Sequence, residues 1–189
     1  MKYFFLIMIL FLFFKLTINE GFVEESEEID LKNIYGDPLK PCKKGLDNNG
    51  SWDNQGYCSE KDGGVHQICF NINKNTADFS TKTNQSDWSK NRINKNHCMC
   101  LGAWALYKAK QDKNLIDKTD NELVCESIPE MALEKRYVNK WNTWNGNELP
   151  DQIQNGLDAL YNQCYNKTND TNKKKFLKNK YNKLKQSIN

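Results

Sequence analysis

No glycine-rich loop in this chain sits between a strand and a helix, where phosphate could be cradled. The DGG at 62–64 lacks that context and reads as a turn. No Ser/His/Asp nucleophile motif is present. The seven cysteines form no CxxC pair and fit no common zinc module. No segment repeats at solenoid periods. Nucleotide-binding and repeat architectures are thereby excluded, and neither a reaction nor a substrate is legible.

What is present begins at the N-terminus. Lys2 precedes an unbroken apolar run over residues 3–14. The run is shorter than the roughly 20 residues a membrane span needs. It is apolar all round, whereas a core helix would be amphipathic. Residues 1–19 therefore read as a signal peptide or, because no small-x-small cleavage pattern follows Lys15, an uncleaved signal anchor. Either fate puts the chain in the secretory pathway, secreted or membrane-anchored. Oxidising compartments favour disulfides. An odd cysteine count leaves one residue free, paired to another chain or bound to metal. Four glycosylation sequons appear, at Asn49, Asn84, Asn166 and Asn169.

The 189 residues suit one domain with extensions. An acidic linker (20–32) leads into a cysteine-containing domain (33–140), a helical extension (141–165) and a basic tail (166–189). Alternation in GVHQICFNI predicts a strand at about 65–72. Residues 73–95 are polar and read as irregular. A helix is expected from Cys98 to Lys110, with Leu101, Ala105 and Lys108 on one face. A short strand at 122–125 and a further helix should follow, the latter opened by a capping box of Ser127 and Glu130 around Pro129. Ile153, Leu157, Leu160 and Cys164 mark an amphipathic helix that Gly156 weakens by about 1 kcal/mol. The fold class is α+β: a small cysteine-stabilised domain with short strands and a few helices.

Charge is unevenly distributed. Without Lys2 and Lys15 the formal charge falls from +3 to +1. The tail holds eight lysines and one aspartate, so the intervening body carries −6. The tail is faintly amphipathic through Leu177, Tyr181, Leu184 and Ile188. It reads either as a solvated, frayed end or as a segment that binds its own body, an acidic partner or anionic lipid. Membrane contact could also run through residues 3–14. Nucleic acid is not an expected partner of a luminal protein.

Several stretches together resemble a known family: NIYGDPLKPC, GYC at 56–58, DGGVHQIC at 62–69, DFS at 78–80, CMC before an alanine- and tryptophan-containing helix, and LVCESIPEMALE. They are similar to the domain-of-unknown-function family number twenty-two thirty-seven, over roughly residues 33–134. The matching positions are Asn33, Gly36, Pro38, Leu39, Cys42, Gly56, Cys58, Asp62, Gly64, His66, Cys69, Cys98, Cys100 and Trp104. The chain departs from the family at His97, where a tryptophan is usual, and at SKNRINKN, which replaces a proline-glycine segment. The resemblance carries no assigned activity. It divides the thiols into five at matched positions and two outside them, Cys125 and Cys164. Those two are expected to form a disulfide tying the C-terminal helix to the domain.

The five matched cysteines admit three chemistries. In a helix, the side chains of Cys98 and Cys100 would point about 200° apart; in a strand they would share a face. A metal site would draw on Cys42, Cys58, His66, Cys69, His97, Cys98 and Cys100, with zinc the ion suited to such donors. A thiol enzyme would use Cys98 or Cys100 at the helix start, with His97 or His66 as base. The favoured arrangement is two internal disulfides among the five, with the last cysteine buried or unpaired, and no cofactor. His66 reads as a strand histidine bonded to a carbonyl rather than a ligand or base. Trp141 and Trp144 read as core rather than a sugar- or protein-binding surface. The function expected is binding or structural, with a protein or glycan partner; the alternative is a thiol- or metal-dependent enzyme.

Overall fold

A computed structural model describes residues 31–58, 66–144 and 147–188. The apolar leader, nearly all of the acidic linker, and Asp62 and Gly64 of the family-like set lie outside them. The fold is α+β. Strands β1 (Ile68–Asn71) and β2 (Asn96–Met99) pair antiparallel. Helices α1 (Phe79–Lys82), α2 (Leu101–Asp112), α3 (Lys135–Val138), α4 (Gln152–Lys167) and α5 (Thr171–Ile188) are linked by 3-10 turns. Three disulfides hold it: Cys42–Cys69, Cys58–Cys98 and Cys125–Cys164.

Helix α2 is the centre of the core. Every residue from Leu101 to Ala109 is buried. Small residues allow this. A Cβ on Gly102 would stand 2.7 Å from both the Trp141 and Trp144 rings, so the glycine admits two indoles to the helix surface. Trp141 is a core residue, as its sequence context suggests, while Trp144 is half-buried and packs against that core. On another face, α4 packs directly on α2 through Gly156, and its Leu157, Leu160 and Cys164 are buried in the core.

The turn that follows Leu31 and Lys32 is built by Asn33, which is 1% exposed. Its Oδ1 accepts the amides of Tyr35 (2.9 Å) and Asp37 (3.3 Å), and its Nδ2 donates to the carbonyls of Pro38 and Glu126. This side-chain turn explains the NIYGDPL stretch. Gly36 completes it at φ +85°, under the ring of Phe176 from α5.

Some expected elements differ. Cys98 belongs to β2, and the helix begins only at Leu101, because Cys100 keeps an extended backbone (φ −76°, ψ 151°) and caps it. No strand forms at 122–125. Leu123 makes a single bridge to Phe70, then the chain tightens into a 3-10 turn at Cys125–Ser127. The expected capping box is absent: Ser127 Oγ donates to the Pro41 carbonyl instead, and Glu130–Leu133 is a 3-10 turn. Residues 73–95 are more ordered than their polarity suggests. Asn73 and Thr76 form a reciprocal cap, and buried Ser80 and Ser89 hydrogen-bond each other at 2.9 Å. The basic tail forms α5 and buries Leu177, Tyr181 and Leu184. Its lysines meet the acidic body: Lys173 with Asp37 (2.7 Å) and Glu126 (3.7 Å), Lys180 with Glu130 (3.0 Å), and Lys185 with Asp158 (3.6 Å).

Candidate functional site

The chemistry-bearing residues collect around the β hairpin. Its register pairs Cys69 with Cys98, and Phe70 with His97. Paired residues share a face, and successive residues alternate. One face therefore carries both strand cysteines, and the other carries His97 and Met99. Cys69 reaches Cys42 and Cys98 reaches Cys58, so the two disulfides lie side by side under one face of the sheet. All four cysteines are fully buried. Among the described residues, the only group of metal-type donors is Cys42, Cys58 and Cys69, whose sulfurs lie within 4.8 Å of one another. His66, His97 and Cys100 are not part of it.

The loop before Cys58 caps the hairpin. Cys98 donates its amide to Gly50 at 2.6 Å, and Asn96 Nδ2 donates to the Cys42 carbonyl at 2.7 Å. Arg92, 7% exposed, bridges Asp47 Oδ2 (3.0 Å) and the Asn96 carbonyl (2.9 Å). Its guanidinium lies 5.9 Å from the Trp52 ring.

His97 is sandwiched in this rim. Trp88 stacks on it, with ring centroids 4.2 Å apart, and Ser51 Oγ lies 3.2 Å from its Nε2. Nδ1 is buried without a protein partner. Burial, reinforced by the charges of Arg92 and His66, pushes its pKa down to about 3. Burial lowers His66 as well. Ser51 has a left-handed backbone (φ 55°) and is exposed. The pair resembles a Ser–His dyad, but such an acidic imidazolium makes a poor base near neutral pH.

Cys100 is the one free cysteine among the described residues. Its sulfur accepts the Ala103 amide at 3.3 Å. Burial pushes the thiol up to about 11, against the pull of the helix-start amides. The group is a protonated thiol at neutral pH, so the positive end of α2 does not activate it.

Cys98 and Cys100, separated only by Met99, thus have separate fates: the first is a disulfide half in a strand, the second a half-buried helix cap. Sequence reasoning missed Ser51, Trp88, Arg92 and Asp47, because long-range contacts bring them to His97 and no local pattern marks them. It also missed a buried ion pair. Lys108 and Glu122 are 3.6 Å apart with side chains 7% and 0% exposed. The lysine on the apolar face of α2 was the visible signal. Compared with known proteins, the chain matches no family profile, no curated protein and no solved structure.

Proposed function

We propose that this chain matures in the secretory pathway and serves there as a binding or structural domain. The observation that carries the reading is the state of the sulfur atoms. Six cysteines are joined in three internal pairs, and the seventh is a half-buried, protonated thiol. Such a core suits an oxidising compartment. The N-terminal leader supplies a route there. The four sequon asparagines, Asn49, Asn84, Asn166 and Asn169, are all exposed, as glycan acceptors must be.

The binding surface we favour is the rim formed by Trp88, His97, Ser51 and Trp52. Half-buried indoles beside a neutral imidazole and a hydroxyl suit a glycan or protein partner. Leu46, 95% exposed on the same loop, extends it. The kinship with family twenty-two thirty-seven belongs to this proposal; Asn33, whose four hydrogen bonds build the first turn, is one of its matched positions. No helix among the described residues is long and apolar enough to cross a membrane.

Expression of the full chain in a eukaryotic secretory host tests the reading. The expected product is luminal or secreted, glycosidase-sensitive, and has one titratable thiol after denaturation without reductant. A cytosolic, full-length, unglycosylated product with its thiols open overturns it.

A further inference from the structure

Helix α5 presents its lysines in two directions. Residues 171–188 hold seven lysines and no acidic residue. Lys173, Lys180 and Lys185 reach Asp37, Glu130 and Asp158 of the body. Lys175, Lys178 and Lys183 are exposed, and among the described residues no ion pair forms at any of the three. At about 100° per residue they share one helix face with Asn179, Asn182 and Gln186, all exposed as well. We propose that this outer face of α5 docks a sulfated polysaccharide.

Charge complementarity carries the assignment. The face runs about 16 Å from Lys175 to Gln186, at a rise of about 1.5 Å per residue. Three ammonium groups lie along it with carboxamides between them. Sulfate groups on a linear chain complement such a row, and carboxamides both donate to and accept from sugar hydroxyls. A lysine-rich stretch such as KKKFLK at 173–178 marks a polyanion patch of the heparin type. The row is not built for stability: Lys175 and Lys178, three positions apart on the helix, are like charges and repel. The acids of the body meet the flanking lysines and leave this row to solvent.

A bilayer is the poorer occupant. A helix that lies on lipid inserts a free apolar face. The apolar residues Leu177, Tyr181 and Leu184 of α5 are buried in the core instead, and the outer face carries only lysine and carboxamide side chains. Choosing a polysaccharide over nucleic acid rests on the secretory reading above. The face uses none of the rim residues around His97, so the two surfaces are tested apart.

Binding of the purified full chain to heparin at about 0.15 M salt tests the proposal. Saturable binding that weakens as salt rises is expected. The triple substitution Lys175→Gln/Lys178→Gln/Lys183→Gln should weaken it about tenfold or more, with far-ultraviolet circular dichroism unchanged. Arginine at the same three positions should preserve it. Lys74→Gln/Lys113→Gln/Lys118→Gln removes equal charge from exposed lysines outside α5 and should weaken binding less than about threefold. No binding at that salt overturns the proposal. Equal weakening by the two glutamine triples does so too, because it would mark a net-charge effect. Equal affinity for desulfated heparin removes the need for sulfate and also overturns it. Tighter binding to phosphatidylserine vesicles or to duplex DNA than to heparin would assign the face to a membrane or a nucleic acid instead. None of these outcomes touches the secretory reading, which is tested by the location and thiol state of the expressed product.

Discussion

Gly156 of α4 lies directly on Ala105 of α2: a Cβ at Gly156 would fall 2.7 Å from both the Cα and the Cβ of Ala105. Trp104 Nε1 also donates to the Gly156 carbonyl at 2.8 Å, locking the two helices together. In an exposed helix, Gly→Ala stabilises by about 1 kcal/mol. Here the added methyl meets backbone that cannot yield. Gly156→Ala should therefore destabilise by about 1–3 kcal/mol, the usual cost of overpacking. A lower urea midpoint with unchanged slope is the expected reading; a raised midpoint would show that the helices part freely.

The Cys125–Cys164 bond spans 39 residues and joins the Leu123 bridge segment to α4. Removing it with the double substitution Cys125→Ser/Cys164→Ser frees a loop of that length in the unfolded chain. The chain-entropy account gives a loss of about 3–4 kcal/mol. Denaturant unfolding of the double variant without reductant measures it, and a loss under about 1 kcal/mol would contradict that account.

Helix α5 is held by both charge and apolar contact, and magnitudes decide between them. Its ion pairs are largely solvent-accessible, and such pairs contribute about 0–1 kcal/mol each. Leu177 is fully buried, and truncating such a leucine costs about 2–5 kcal/mol. Leu177→Ala should therefore loosen the tail far more than Lys173→Ala. Hydrogen exchange over 171–188 reads the difference, and salt should shift it little. Strong salt-dependent exchange would mean that the charges dominate.

His97 makes stability depend on pH. An unfolded histidine titrates near 6.5, whereas burial holds folded His97 down to about 3. Between those values the unfolded chain binds a proton that the folded chain refuses. Stability is thus full above about pH 6.5 and declines as pH falls toward 3, by at most about 1.4 kcal/mol per unit. Unfolding free energies at pH 7 and pH 5 should differ in this direction, and His97→Gln should flatten the difference. His66, lowered by burial in the same sense, leaves a residual slope.

Cys100, half-buried as a residue and with its thiol pushed up to about 11, should alkylate slowly in the folded chain. Iodoacetamide at mildly alkaline pH should label it fast only after denaturation. Rapid labelling of the native chain would reveal an activated thiolate.

Legibility in the sequence followed the range of the interactions. The amphipathic spacing of Leu157, Leu160 and Cys164 is local, and α4 is where that spacing puts it. The polar stretch 73–95 looked irregular because its order comes from paired side chains, such as Ser80 with Ser89, which periodicity does not register. Leu123 read as strand from its apolar neighbours, yet a disulfide at Cys125 and a proline at 129 turn the chain away after one bridge. The tail's three buried residues were visible as a faint stripe. What covers them was not, because the matching acidic and apolar surface lies far away in sequence. For the rim around His97, only the histidine itself was marked; Trp88, Ser51 and Arg92 arrive by tertiary folding.

The two disulfides beneath the hairpin interleave along the chain, since Cys58 falls inside the 42–69 span and Cys69 inside the 58–98 span. Every peptide bond between Cys58 and Cys69 is therefore straddled twice. A protease that cuts there releases nothing: both pieces stay tethered, migrate as one species without reductant, and separate only once the sulfur bridges are opened.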